Sequence, residues 1–145
     1  MKKSTITELI SALFILLFMY TSISKILNFN IFQITLERSV AIGGLSKLIG
    51  SLIIVTEIFI STLLFIPKTR KLGLISSLVL ISIFAVYIAT MIGFTKILPC
   101  SCGGVIASMS WPQHLTFNVA LILLSALGIY LHKDNTELRY RTRIV

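Results

Sequence analysis

The sequence predicts an all-α membrane protein, a four-transmembrane-helix bundle with a short interfacial helix between helices 1 and 2. Three observations predict it. Of 145 residues, 56% are hydrophobic and only 12% charged, with mean hydropathy +0.98, too little charge to clothe a soluble domain. Four apolar stretches, at about 6–27, 45–66, 72–92 and 114–131, each approach the ~20 residues that carry a helix across the hydrocarbon core. The basic residues gather in the segments between and beyond these stretches. In lipid each stretch must be helical, because only a helix satisfies its own backbone hydrogen bonds.

The elements follow in order. Lys2 and Lys3 precede the first span, and the run Leu9 to Phe18 followed by Thr21-Ser22-Ile23-Ser24 has the look of a signal peptide. Glu8 interrupts the basic region and the apolar character continues through Ile26 and Leu27, which favours an uncleaved helix. After it, Phe29, Phe32, Leu36 and Val40 keep helical spacing. Asn30 with Gln33 offers a capping box, and Gly43-Gly44 a stop. This predicts a short helix on the membrane surface, with Glu37 and Arg38 turned away from the apolar stripe. Pro67-Lys68-Thr69-Arg70-Lys71 is a tight basic turn that makes the second and third spans antiparallel neighbours. Ser110 is placed to cap the fourth span, Trp111 suits the membrane boundary, and Pro112 suits a first helical turn. Beyond Leu131 the chain reads as a polar, basic tail. No repeat or long linker divides the chain, which reads as a single domain over 1–145.

Charge sets the expected orientation. The net charge of +8 does not point to nucleic acid, because the cations flank the spans. With both termini in the cytoplasm, nine cations lie inside: Lys2, Lys3, Lys68, Arg70, Lys71, Lys133, Arg139, Arg141 and Arg143. Four lie outside: Lys25, Arg38, Lys47 and Lys96. The expectation is a multi-pass protein of a bacterial inner membrane, N-in and C-in, with the lipid bilayer as its first partner.

That orientation places Cys100-Ser101-Cys102-Gly103-Gly104 on the outer, oxidising side. These are the two cysteines of the chain. Only Ser101 separates them, so a disulfide would close a small, strained ring, and strained disulfides are the labile, reactive ones. It would add little stability, since it closes almost no loop. Pro99 stiffens the approach and the glycines leave room for another backbone. Redox chemistry is therefore favoured over an idle pair. Two thiolates also suit Cu(I), with His114, Met109 or a second subunit completing the site.

Two further residues invite chemistry. Glu57 falls near the middle of the second span, where an ionisable group is costly. It is a candidate proton carrier, or a packing residue bonded to Tyr20, Tyr87 or Asn118. His114 and Asn118 are four apart and share a helix face near the cysteines. His114 is a candidate for proton transfer or for lowering a thiol pKa. Lys25 is placed to stabilise a thiolate or to snorkel to the headgroups. No phosphate-binding glycine loop, H-E-x-x-H or G-x-S-x-G occurs, so hydrolase and ATPase readings have no support.

Three segments resemble one family over nearly the whole chain. They are Tyr20-Thr21-Ser22-Ile23-Ser24-Lys25-Ile26-Leu27 with Phe29 and Phe32; Glu57 with Leu63-Leu64-Phe65-Ile66-Pro67 and Arg70; and Cys100-Ser101-Cys102-Gly103-Gly104 with Ser110-Trp111. In order and spacing they are similar to the MauE/DoxX-type redox-associated membrane proteins, named from methylamine-utilisation MauE. Gly103 departs from the pattern, standing where many relatives are expected to carry an aromatic residue. The resemblance implies a four-helix membrane bundle that supports the maturation or redox cycling of periplasmic proteins. It implies thiol–disulfide exchange through Cys100 and Cys102 with a periplasmic thioredoxin-like or client redox protein. The alternatives are a non-catalytic membrane subunit or assembly factor of a redox complex, and a copper-handling protein. Membrane thiol oxidoreductases with two cysteine pairs relay electrons to a quinone. With one pair this chain has no internal relay, and a quinone site in the outer half of the bundle is compatible with it although no residue pattern marks one.

Overall fold

The computed structural model of the chain describes residues 3–37, 43–94 and 111–144. Five α-helices account for nearly all of them: α1 (Lys3–Leu27), α2 (Phe29–Glu37), α3 (Ser46–Phe65), α4 (Arg70–Phe94) and α5 (Trp111–Ile144), with a single 3-10 turn at Gly43–Leu45. There is no strand among the described residues. The four long helices each hold a segment long and apolar enough to cross a membrane: Thr5–Leu27, Ser46–Phe65, Arg70–Thr90 and Pro112–His132. The protein is a multi-pass membrane protein, as its hydropathy predicts.

The long helices pack as a closed square. α1 lies beside α3, α3 beside α4, α4 beside α5, and α5 returns to α1, while the diagonal pairs barely touch. The chain runs up and down alternately, so both termini and the α3–α4 turn share one end of the bundle. The α1–α3 connection and the α4–α5 connection share the other. The interior at the termini end is filled by Ile10, Phe14, Leu64 and Leu74, all buried. Outward positions such as Leu16, Val55, Ile83 and Leu123 are also apolar and are exposed. A helix that is apolar all round suits a lipid surround. Hydroxyls on these faces bond back to their own helix, as Thr56 does to the Leu52 carbonyl at 2.7 Å and Thr62 to the Ile58 carbonyl at 3.0 Å. No polar group of these is left facing the hydrocarbon unsatisfied.

Without a strong hydrophobic drive between helices in lipid, close approach and polar contacts hold the bundle. Gly73 supplies the closest approach. A Cβ there would lie 2.9 Å from the backbone nitrogen of Leu64, inside contact distance. The turn before it is tied down by the Thr69 hydroxyl, which donates to the Leu63 carbonyl at 2.9 Å. Across the bundle the buried Ser125 hydroxyl donates to the Leu74 carbonyl at 2.9 Å, joining α5 to α4.

The short surface helix is present, with two differences. It starts at Phe29, so Asn30 lies within it and does not cap it. The first turn hangs instead on Asn28, whose carbonyl accepts from the Phe32 N–H at 3.0 Å while its side chain donates to the Ser24 carbonyl. α1 thus passes into α2 with a one-residue break. The described part of α2 reaches Glu37, and Gly43 opens the turn into α3; Arg38, Val40 and the rest of 38–42 lie outside the described residues. Phe32 and Leu36 are buried against Gly50 of α3, where a Cβ would lie 3.3 Å from both side chains. Glu37 is exposed as expected, yet it is partnered. It accepts from Gln33 at 3.0 Å and from the Ser46 hydroxyl at 3.1 Å, tying α2 to the start of α3.

The polar, basic stretch after Leu131 is helical: α5 continues to Ile144. The apolar stretch stops near 131, but 132–144 contains neither glycine nor proline to stop the helix.

Candidate functional site

At the end of the bundle away from the termini, the helices enclose a cleft of about 80 Å³. Its walls are mainly apolar, with Phe18, Phe32, Phe84, Ile88, Phe117 and Leu121 among them, and its polar lining is Thr21, Lys25, Glu57, His114 and Asn118. Glu57, His114, Asn118 and Lys25 were each marked separately by the sequence. The fold brings them to one place.

The centre of this site is an ion pair. Glu57 is 2% exposed and Lys25 6%, so neither charge meets bulk solvent. The Lys25 ammonium donates to Glu57 Oε1. The other carboxylate oxygen, Oε2, accepts from the Ser22 hydroxyl at 2.9 Å and, more weakly, from Thr21 Oγ1 at 3.5 Å. Thr21, Ser22 and Lys25 lie at i, i+1 and i+4, on one face of α1 turned towards α3. The ammonium also sits 5.7 Å from the Phe32 ring centre and 5.8 Å from that of Phe84, within cation–π range. A charge alone in such a place costs several kcal/mol, and pairing with further hydrogen bonds is what makes it tolerable.

This corrects the expectation for Lys25 and names the partners of Glu57. Lys25 neither snorkels nor stands free to face a thiolate, because its ammonium is held inside by Glu57 and two aromatic rings. Glu57 was a candidate proton carrier or a group bonded across the bundle; the bond across the bundle is present, with Ser22, Thr21 and Lys25 of α1 as its partners and not the packing partners Tyr20, Tyr87 or Asn118. The sequence missed Ser22 and Thr21 as site residues. Their spacing from Lys25, set against a lone glutamate in the next span, was the available sign.

His114 is half-buried at the start of α5 and lines the cleft. Asn118, one turn further, is buried and lines it too, and its amide nitrogen has no hydrogen-bond partner among the described residues. Cys100 and Cys102 lie outside the described residues, as do Met109 and Ser110. The helices that flank their segment are described. α4 ends at Phe94 and α5 begins at Trp111, at the same end of the bundle as the cleft. Among the described residues, no group of three His, Cys, Asp or Glu side chains comes together as a metal site.

The arrangement can do two things. The Glu57–Lys25 ion pair, with Ser22 and Thr21 on the carboxylate, ties α1 to α3 inside the bundle. The cleft can admit a small uncharged group, since its two full charges cancel.

The family model described as methylamine utilisation protein MauE matches residues 3–131. No curated protein and no solved structure matches the chain.

Proposed function

The chain belongs to the MauE family, and we propose that it is a thiol–disulfide exchange protein of the bacterial inner membrane, acting through an outward-facing Cys100/Cys102 pair on periplasmic redox proteins. What supports the reading is that the Lys25–Glu57 cleft lies at the bundle end that α4 and α5 leave and enter on either side of the cysteine segment. The orientation N-in, C-in rests on charge. The α3–α4 turn and both termini share one end, and that end carries nine of the thirteen cations.

The exchange conserves atoms and electrons. A client thiolate attacks one sulfur of the Cys100–Cys102 disulfide, forming a mixed disulfide and releasing the other sulfur as a thiolate. The second client thiolate then attacks the client sulfur of that mixed disulfide and displaces the bonded cysteine, so the client leaves with a disulfide and Cys100 and Cys102 are left reduced. Two protons move with two electrons. His114, half-buried in the lining of the cleft at the start of α5, is the group to take a thiol proton, and Glu57 of the same lining is the second candidate.

The test is partner trapping. Cys100→Ser or Cys102→Ser should each abolish exchange, and the remaining cysteine should capture a thioredoxin-like or client protein as a reducible mixed disulfide. Wild-type activity in the variant lacking both cysteines would sink the proposal. Co-purification of a partner that ignores both substitutions would favour a scaffolding subunit instead.

A further inference from the structure

We infer that the termini end of the bundle binds the phosphodiester of an anionic membrane lipid, through Arg70 and Lys71 of α4 with His132 of α5. Three features carry this. The first is depth. The membrane-length segments Arg70–Thr90 and Pro112–His132 begin and end at these residues, so the cations lie at the level of the lipid phosphates. The second is convergence. A Cβ at Gly128 would meet Leu74 at 3.4 Å and Ile10 at 3.2 Å, so α1, α4 and α5 close together there. One turn nearer the end, Arg70 precedes Leu74 by four residues and His132 follows Gly128 by four. His132 accordingly lies within electrostatic reach of both Arg70 and Lys71. The third is an unspent donor. Arg70 Nε is buried without an acceptor among the described residues. The ion pair that its guanidinium makes with the exposed Glu8 spans 3.7 Å, longer than a hydrogen bond. A buried donor without an acceptor is costly, and so calls for an oxygen.

A phosphate answers all three. Its oxygens accept two parallel N–H groups from an arginine fork, and the Arg70 side chain turns outward about its own bonds to present them. Lys71 is exposed and adds a point charge beside the fork. A lipid is selected over a free phosphate by what lies towards the membrane. Ile75, one turn from Lys71 on the same face of α4, is exposed, as are Leu127 and Tyr130 on α5. They offer apolar surface to acyl chains while the phosphate stays at the bundle end. Basic pockets between membrane helices hold anionic headgroups in this way. Glu8 opposes the site, since its carboxylate and a phosphate compete for one guanidinium. The site lies at the opposite end from the Lys25–Glu57 cleft and does not rest on the thiol reading.

The experiment is native mass spectrometry of the purified full chain in maltoside micelles, titrated with dioleoylphosphatidylglycerol or with dioleoylphosphatidylcholine. A single phosphatidylglycerol per chain is expected to bind ahead of any phosphatidylcholine. Arg70→Gln should weaken it about tenfold, the value of a charge-assisted hydrogen bond. Glu8→Gln should tighten it about threefold by removing the competitor. Lys68→Gln, which takes the same charge from the exposed turn, should leave it within about twofold of the wild type. Each variant is checked for wild-type melting. If Arg70→Gln fails to fold, photolabelling of the wild type by a phosphatidylglycerol with an azide on its headgroup decides, with label expected on 66–72 or 130–133. No preference for phosphatidylglycerol, equal weakening by Lys68→Gln and Arg70→Gln, or label elsewhere overturns the proposal. Glycerol phosphate binding as tightly as the whole lipid overturns it too, and assigns the cluster to a soluble phosphate.

Discussion

Lys25, two residues from the end of α1, donates to Glu57 in the interior of the bundle, and the Ser22 hydroxyl holds the second carboxylate oxygen from the same face. Two opposite charges thus meet 32 residues apart in sequence, beneath the rings of Phe32 and Phe84. A pair so placed is expensive to break from one side. Lys25→Met should destabilise the protein by about 3–5 kcal/mol, because it strands the Glu57 carboxylate. Lys25→Met combined with Glu57→Leu should recover most of that loss, since two apolar groups need no partner. Denaturant unfolding of the three proteins in matched micelles checks this, and a double variant no more stable than the single one contradicts it.

Glu57→Gln keeps the side-chain shape, removes the proton acceptor and leaves the Lys25 ammonium without its counter-charge, so its rate is read on protein checked to be folded. If Glu57 carries protons during exchange, client oxidation should slow about 100-fold, the ordinary reach of a general base. The pH dependence of the rate should change with it, a response that lost packing alone would not give. A rate and pH profile matching the wild type would confine Glu57 to packing.

Gly73 and Gly44 make a matched pair. Gly73→Ala pushes a methyl group against the Leu64 backbone, so it should cost about 1–3 kcal/mol. Gly44 has nothing within 4 Å of its missing Cβ, so Gly44→Ala should lie within about 0.5 kcal/mol of the wild type. Melting temperatures of the two variants decide the matter, and equal shifts would contradict the packing described at Gly73.

Ser125→Ala removes the hydroxyl that α5 gives to the Leu74 carbonyl. Interhelical hydrogen bonds in membranes average about 0.6 kcal/mol, so a loss of about that size is expected. The Glu8–Arg70 pair at the other end is a contrast. Its charges lie 3.7 Å apart and Glu8 is largely exposed, so Glu8→Gln should be nearly neutral in stability.

The spans were legible because hydropathy and length suffice in a membrane: a run such as 46–65 has no alternative to helix. The tight turn at Pro67 and the opening of α5 at Trp111-Pro112 were legible for the same local reasons. The extent of α5 was not, because the eye follows hydropathy and the helix ends by other rules. The site was half legible. Glu57 and Lys25 each stand out as a charge within or beside an apolar span. Their pairing depends on how α1 and α3 are rotated against each other, which is a property of the packed bundle and not of either span alone. Asn118 looked like one more interfacial polar group, and only the packed bundle shows it buried, its amide nitrogen without an acceptor among the described residues.

The most direct test of the central claim is the redox state of Cys100 and Cys102 in cells, read by a membrane-impermeant maleimide before and after reduction. The account predicts a pair that is oxidised at rest, reducible, and reachable from outside. Thiols that stay free in the oxidising compartment, or that label only from the cytoplasm, would contradict it.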